Sequence, residues 1–284
     1  MSIAIIGATG RLGGHAVNAL LARGTSARDI LALGRNEERL AELGDLGLRT
    51  ATVDLDDVEA TTAVLAGVER LVLISIGGMT GGVTPRTNAV AAAEAAGVRH
   101  LVYTSVLQAP TTRLGIAADH RATEKVITGS GIPATFLRNG WYTENLRPDF
   151  DSARKRGVIA NSIGDGRIAS APCRDYGEAI AAVLTTPGHE GRAYELSGDT
   201  AWSFPEFAEA ASDVLGSPVR YDVLTREQEL EHLIASGLDE PTADLFNSSY
   251  ADIRNGAMSL TNGDLATLIG HTTQPLADTM RTWH

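Results

Sequence analysis

The segment Gly7-Ala8-Thr9-Gly10-Arg11-Leu12-Gly13-Gly14 stands between a short apolar run, Ser2 to Ile6, and a stretch of helical patterning, His15 to Arg23. A strand-to-helix turn built on Gly7, Gly10 and Gly13 lets backbone N–H groups approach an anion with no Cβ in the way. It does so at a helix N-terminus, whose dipole favours negative charge. The glycine spacing alone is weak evidence. The strand before it and the helix after it supply the context in which it reads as a dinucleotide site, and they confine the chain to a βαβ start.

Further short runs of apolar or β-branched residues follow at Ile30–Leu33, Leu48–Val53, Leu71–Ser75, His100–Thr104 and Ala134–Leu137, separated by segments long enough for crossover helices. Strands so continuously apolar suit a parallel sheet covered on both faces, with right-handed crossovers. The boundaries carry local signals. Asp56-Asp57 can cap a helix from Val58 that ends before Gly67, Gly97 ends the helix before strand five, and Thr84-Pro85 places a proline in a first turn. Beyond Arg138 comes a loop-rich stretch, Asn139 to Asn145, then Gly164-Asp165-Gly166, a helix around Asp175 to Leu184, and a late strand, Ala193 to Leu196, that returns to the sheet. From Phe204 the pattern is mostly helical, with Pro205 at a helix start and Gly216 at its end. The expected fold class is α/β: a Rossmann-like, doubly wound parallel sheet with a smaller, mostly helical C-terminal lobe. Residues 1–138, with about 167–200, are expected to form the nucleotide domain, and about 139–166 and 201–284 to cap it.

A chain of 284 residues, 43% of them hydrophobic, can bury a substantial core. Its formal charge of −11 argues against nucleic acid as a partner, since phosphate-backbone binding needs clustered Lys and Arg. The single Cys173 excludes an intrachain disulfide, and there is no Cys/His spacing for zinc, so no metal is expected and a reducing compartment is. With no basic leader and no run of eighteen apolar residues, the expectation is a cytoplasmic protein without a membrane partner. A homodimer is left open.

The type of nucleotide is read after the second strand. Selectivity for NAD usually places an acidic residue there, but this chain has Gly34-Arg35-Asn36, a guanidinium where a 2′-phosphate would lie. NADPH is the cofactor expected. The alternative is that Arg35 is a solvated residue capping the next helix. Asp54, just past strand three, borders the adenine or else caps the helix that follows. Ser75, Ile76 and Gly77, at the carboxyl end of strand four, are placed to meet the nicotinamide half, the alternative being a flexible glycine loop.

Tyr103-Thr104-Ser105, Leu137 through Asn145 (Leu-Arg-Asn-Gly-Trp-Tyr-Thr-Glu-Asn), Tyr194 through Asp199 and Leu268 through His271 join these motifs in a pattern that resembles the NmrA-like atypical short-chain reductases nearly end to end. Within that group the pattern is similar to the quinone reductases, whose near relatives reduce triphenylmethane dyes. The resemblance implies that Gly7, Ala8, Thr9, Gly10, Arg11 and Leu12 hold a pyrophosphate, Arg35 the 2′-phosphate, and Ser75 to Gly77 the nicotinamide side. It implies that Asn139, Gly140, Trp141, Tyr142 and Glu144 wall the pocket. It also implies an arginine contact from the segment Ser170 to Tyr176, where Cys173 occupies the matching place and Arg174 is one step later. The activity implied is hydride transfer from NADPH to a quinone. A triarylmethane dye as acceptor, or a non-catalytic NADP-binding sensor, are the alternatives.

The Tyr/Lys pair of ordinary short-chain dehydrogenases is missing, since Tyr103 is followed by Leu107 at the four-residue offset, and the place of a helical lysine in related reductases is taken by His120. Reduction of a ketone creates an alkoxide whose conjugate acid has a pKa of about 16, comparable to bulk water. A quinone instead gives a phenolate of pKa about 10, which water can protonate. The missing pair therefore fits an acceptor that is already electrophilic. Trp141-Tyr142 can stack against such a planar acceptor or pack in the core. His120 and Tyr142 are the candidate catalytic residues, His120 donating a proton or hydrogen bond or serving as a structural histidine.

Overall fold

The computed structural model describes residues 1–75 and 82–283. Six strands follow one another early in the chain: β1 (Ile3–Ile6), β2 (Ile30–Gly34), β3 (Arg49–Thr52), β4 (Arg70–Leu73), β5 (His100–Val106) and β6 (Ala134–Asn139). Two more, β7 (Val158–Asn161) and β8 (Arg167–Ile168), leave the sheet before β9 (Ala193–Leu196) rejoins it. The resulting sheet is wholly parallel, in the order β3-β2-β1-β4-β5-β6-β9. Strand β3 is polar and largely exposed because it lies at the sheet's edge.

The alternation of side chains along each strand explains why the apolar runs are unbroken. Ile3, Ile5, Ile30, Ala32, Val72 and Val102 enter one core, while Ala4, Ile6, Leu31, Leu33, Leu71, Leu73, Leu101 and Tyr103 enter another on the opposite face. The first core is covered by α1 (Arg11–Ala22) and by the later α7 (Cys173–Thr185), with α2 (Glu37–Asp45) beside them. The second is covered by α3 (Val58–Val64), α4 (Val83–Ala95) and α5 (Ala117–Gly129). Each fully buried Leu or Ile contributes about 1.5–3 kcal/mol to this arrangement.

Capping residues set the helix starts. The Asn36 side chain accepts from Arg39 N–H at 3.0 Å and so caps α2, which leaves Arg35 free of that role. Asp57 accepts from Ala60 N–H at 2.9 Å and caps α3, while Asp54 turns back to accept from Asp56 N–H at 3.0 Å.

A third core gathers where β5 ends and the chain leaves the sheet. It is built from α6 (Arg147–Arg156), the pair β7 and β11 (Arg220–Val223), and the pair β8 and β10 (Trp202–Ser203). Helices α8 (Phe204–Leu215), α10 (Glu240–Arg254) and α12 (Leu276–Arg281) close it, α9 (Arg226–Ala235) packs on α10, and α11 (Asp264–Ile269) packs on α7. Phe150, Phe204 and Phe207 are fully buried there. Among the described residues no helix is long and apolar enough to cross a membrane, and no group of three or more His, Cys, Asp or Glu could hold a metal ion.

Candidate active site

The strand order reverses direction between β1 and β4, so the chain departs to opposite sides from their carboxyl ends and a crevice opens there. Gly7 and Ser75 flank it. A cavity of about 590 Å³ fills the crevice, lined by Gly7, Thr9, Gly10, Arg11, Leu12 and Gly13 from the first turn, by Gly34, Arg35 and Asn36 after β2, and by Asp54 and Asp56 after β3. Ser75, Tyr142 and Cys173 complete the wall.

The turn is closed by its own backbone. Gly7, at φ 93°, and Ala8 both donate to Leu33 O, at 3.0 and 3.1 Å, and Gly10 donates to Gly7 O at 3.1 Å. A methyl group on Gly13 would lie 2.6 Å from Ala8 Cα, so α1 approaches the loop as closely as backbone allows. The expected anion cradle is thereby narrowed. Ala8 is buried outside the cavity and its N–H, like those of Gly7 and Gly10, is already bonded: Gly7 and Ala8 fasten the loop to β2, and Gly10 closes the turn on Gly7 O. Donors without a partner among the described residues include the N–H groups of Arg11, Leu12 and Gly13 in the first turn of α1. Beside them Arg35 is exposed and has no acidic partner among the described residues. Three backbone donors at a helix start and an unpaired guanidinium fit a dinucleotide that carries an additional phosphate.

A second cavity, of about 1100 Å³, adjoins the first and shares Arg11, Ser75 and Tyr142 with it. Its wall comes from the ends of β5 and β6 (Ser105, Val106, Asn139), from the loop after β6 (Gly140, Trp141, Glu144), and from His120 of α5. Asn139 Nδ2 donates to the Tyr142 hydroxyl oxygen at 3.0 Å, and the Tyr142 ring meets that of Tyr176 edge-on, with centroids 5.0 Å apart. Burial raises the Tyr142 phenol well above its ordinary pKa, so it stays protonated. Gly140 N–H donates to Leu196 O at 2.7 Å, which ties the loop to β9. Ser105 Oγ, Asn139 Oδ1 and Trp141 Nε1 are buried with no hydrogen-bond partner among the described residues. Three such atoms in one wall are the pattern expected where a ligand supplies the partners.

Two expected contacts have other occupations. Both carboxylate oxygens of Glu144 lie 3.0 Å from Cys173 N, so this residue caps α7 as it lines the cavity. Arg174 lines neither cavity. Its guanidinium bonds Asp175 at 3.1 Å and lies 3.4 Å from Glu178. The neighbouring Cys173 does face the nucleotide cavity, and burial pushes its thiol up to about 12, so it remains a neutral wall. Ile76 and Gly77 lie outside the described residues.

His120 is buried, and its Nδ1 lies 2.9 Å from the Tyr103 hydroxyl. Burial, with the Arg86 guanidinium nearby, lowers its pKa to about 4, and burial raises Tyr103 to about 12. The pair is therefore neutral near pH 7. The tyrosine places a hydrogen-bonded hydroxyl behind the imidazole rather than a charged lysine.

Residues 226–260 carry no chemical motif, yet Phe246, Ser249, Tyr250 and Met258 line the second cavity. Arg147, Pro148, Asp151, Ser152, Lys155 and Arg156 line it from α6. Their spacing of three and four residues was a readable signal of one shared helix face.

Comparison with known proteins agrees with this geometry. Residues 7–187 match the NAD(P)H-binding family, and the chain belongs to it. Quinone oxidoreductase 2 of Escherichia coli K12 is 38% identical over 278 residues, covering 98% of this chain and 97% of that protein. The crystal structure of the E. coli NADPH-dependent quinone oxidoreductase complexed with NADPH superposes with a TM-score of 0.95 over 99% of both chains. The Citrobacter triphenylmethane reductase complexed with NADP(H) superposes with a TM-score of 0.91 at 36% identity over the whole of both chains. The resemblance to NmrA-like atypical short-chain reductases is borne out, as is the α/β class with its parallel sheet.

Proposed function

We propose that this protein is an NADPH-dependent reductase of quinones. The observation that carries the reading is the meeting of the two cavities at Arg11, Ser75 and Tyr142: a crevice built for a phosphorylated dinucleotide opens directly onto a chamber with room for a planar acceptor.

When bound, the reduced nicotinamide supplies the hydride. The first-turn N–H groups of α1 and the Arg11 guanidinium hold the pyrophosphate, and Arg35 holds the 2′-phosphate. Thr104 Oγ1 accepts from Ser75 N–H at 2.8 Å, which fixes Ser75 where the two cavities join. Trp141 and Tyr142 present faces against which a flat ring stacks, and holding the acceptor near the reduced ring is the main contribution to rate. His120 contributes a neutral imidazole braced by Tyr103. Near pH 7 it can share a hydrogen bond with the acceptor's oxygen, and water protonates the departing phenolate. The C-terminal lobe, residues of about 139–166 and 201–284, closes the acceptor side.

The test is direct. Purified protein, NADPH and a simple benzoquinone should consume NADPH and form hydroquinone in equal amounts, with no added flavin or metal. Absence of acceptor-dependent NADPH oxidation across a panel of quinones would overturn the proposal.

A further inference from the structure

Helix α6 turns Arg147, Asp151, Ser152, Lys155 and Arg156 toward the larger cavity while Phe150 and Ala153 are buried on its other side. The charges on the cavity face do not cancel. Asp151 accepts from Arg147 at 3.3 Å and from Arg154, which does not line the cavity, at 2.9 Å. Arg156 donates only to the neutral Ser152 hydroxyl, at 2.8 Å, and Lys155 has no hydrogen-bond or ion-pair partner among the described residues. The other carboxylate in the wall, Glu144, is held by Cys173 N–H. Apart from Arg11, which the nucleotide's pyrophosphate engages, two uncompensated cations of α6 thus face a cavity in a chain whose formal charge is −11.

Cations in a last helical turn offset the helix dipole, which accounts for their presence at the end of α6. It does not account for their direction. Arg154 meets the same need without facing the cavity. Size points the same way, since 1100 Å³ reaches the upper end of the range that encloses drug-sized ligands and exceeds what a bare quinone ring fills.

Building on the quinone-reductase reading, we propose that the preferred acceptor carries an anionic substituent, seated at Lys155 and Arg156 while its ring lies against Trp141 and Tyr142. Two electrons and a proton pass as hydride from NADPH to the quinone, water supplies the second proton, and NADP⁺ and hydroquinone result. The substituent is unchanged; it sets affinity and orientation. The same two cations disfavour a cationic triarylmethane dye.

The experiment compares kcat/KM for a neutral naphthoquinone, its sulfonated counterpart and a cationic triarylmethane dye. The native protein should prefer them in the order sulfonated, neutral, cationic. In the double variant Lys155→Gln, Arg156→Gln the ratio of sulfonated to neutral should fall about three- to tenfold, chiefly through KM, as expected for two exposed charge pairs. Raising the ionic strength should produce the same fall in the native protein, because screening at physiological salt already acts over about 8 Å. The variant Lys155→Glu, Arg156→Glu should carry the ratio further in the same direction. Thermal melting and NADPH affinity confirm that each variant is folded. A ratio that neither the substitutions nor salt alters overturns this proposal while leaving quinone reduction intact. A native protein inert toward all three acceptors overturns both.

Discussion

The Tyr103 hydroxyl lies 2.9 Å from His120 Nδ1, across the interface between β5 and α5. The contact joins a phenol raised to about 12 with an imidazole lowered to about 4, so neither changes charge near neutrality. Turnover should therefore show no titration from His120 between about pH 6 and 8. Stability should respond lower on the scale. Between the unfolded pKa of about 6.5 and the folded value of about 4, the unfolded chain binds the proton and the native one does not, so stability falls as the pH drops through that window. His120→Gln should flatten this slope in urea titrations, and an unchanged slope would refute the assignment.

Removing the phenol tests the same contact from the other side. Tyr103→Phe leaves a buried ring nitrogen without its partner, which costs about 1–3 kcal/mol. The melting temperature should fall accordingly, and kcat should fall with only a small change in NADPH affinity. Equal losses in nucleotide binding would place the pair outside the acceptor site.

Arg35 borders the nucleotide cavity with no ion-pair partner among the described residues. A charge-assisted hydrogen bond from this side chain to a 2′-phosphate is worth about 1.5–3 kcal/mol, so Arg35→Ala should weaken NADPH binding about 10- to 100-fold. NADH, which lacks that phosphate, should bind almost as before. Calorimetry with both nucleotides separates the two, and a parallel loss for NADH would mean that Arg35 shapes the loop instead.

The adjacent Gly13 and Gly14 should respond with opposite signs. A methyl on Gly13 meets the backbone of Gly7 and Ala8, which cannot yield, whereas nothing lies within 4 Å of one on Gly14. Gly13→Ala should destabilise by about 1–3 kcal/mol and impair nucleotide binding. Gly14→Ala should stabilise α1 by up to about 1 kcal/mol. Melting curves of the two variants decide it.

The sheet was legible because a parallel strand covered on both faces must be apolar at every position, as Ile3 to Ile6 are. The glycine turn was legible because anion binding and close helix packing both exclude side chains. The edge strand β3 came a residue shorter at each end than its apolar flanks Leu48 and Val53 suggested, since those two side chains pack in the cores beyond its ladder. What the sequence did not display was the division of labour within the motif. That the N–H groups of Gly7 and Ala8 serve Leu33, and that Glu144 serves α7, depends on partners remote in the chain. The shared face of α6 was readable from its spacing, but its direction was not, because a polar helix face toward a cavity has the same composition as one toward solvent.

Behind that wall lies a carboxylate whose titration should be visible in the whole molecule. Asp149 of α6 lies half-buried beside Glu229 of α9, with Asn161, Tyr221 and Tyr250 around them, and desolvation followed by the Glu229 charge raises its pKa to about 7. Burial raises Glu229 as well, although it accepts from Ser162 N–H. For Asp149 the native state keeps its proton between pH of about 4 and 7 while the unfolded chain has lost it, so stability declines as pH rises across that window and the cost is complete above it. Asp149→Asn keeps the shape and removes the charge. Its melting temperature should equal or fall below that of the native protein near pH 5 and exceed it by about 1–3 °C near pH 8. Parallel melting profiles across that range would show that the two carboxylates are relieved by movement of α9, and not by the proton on Asp149.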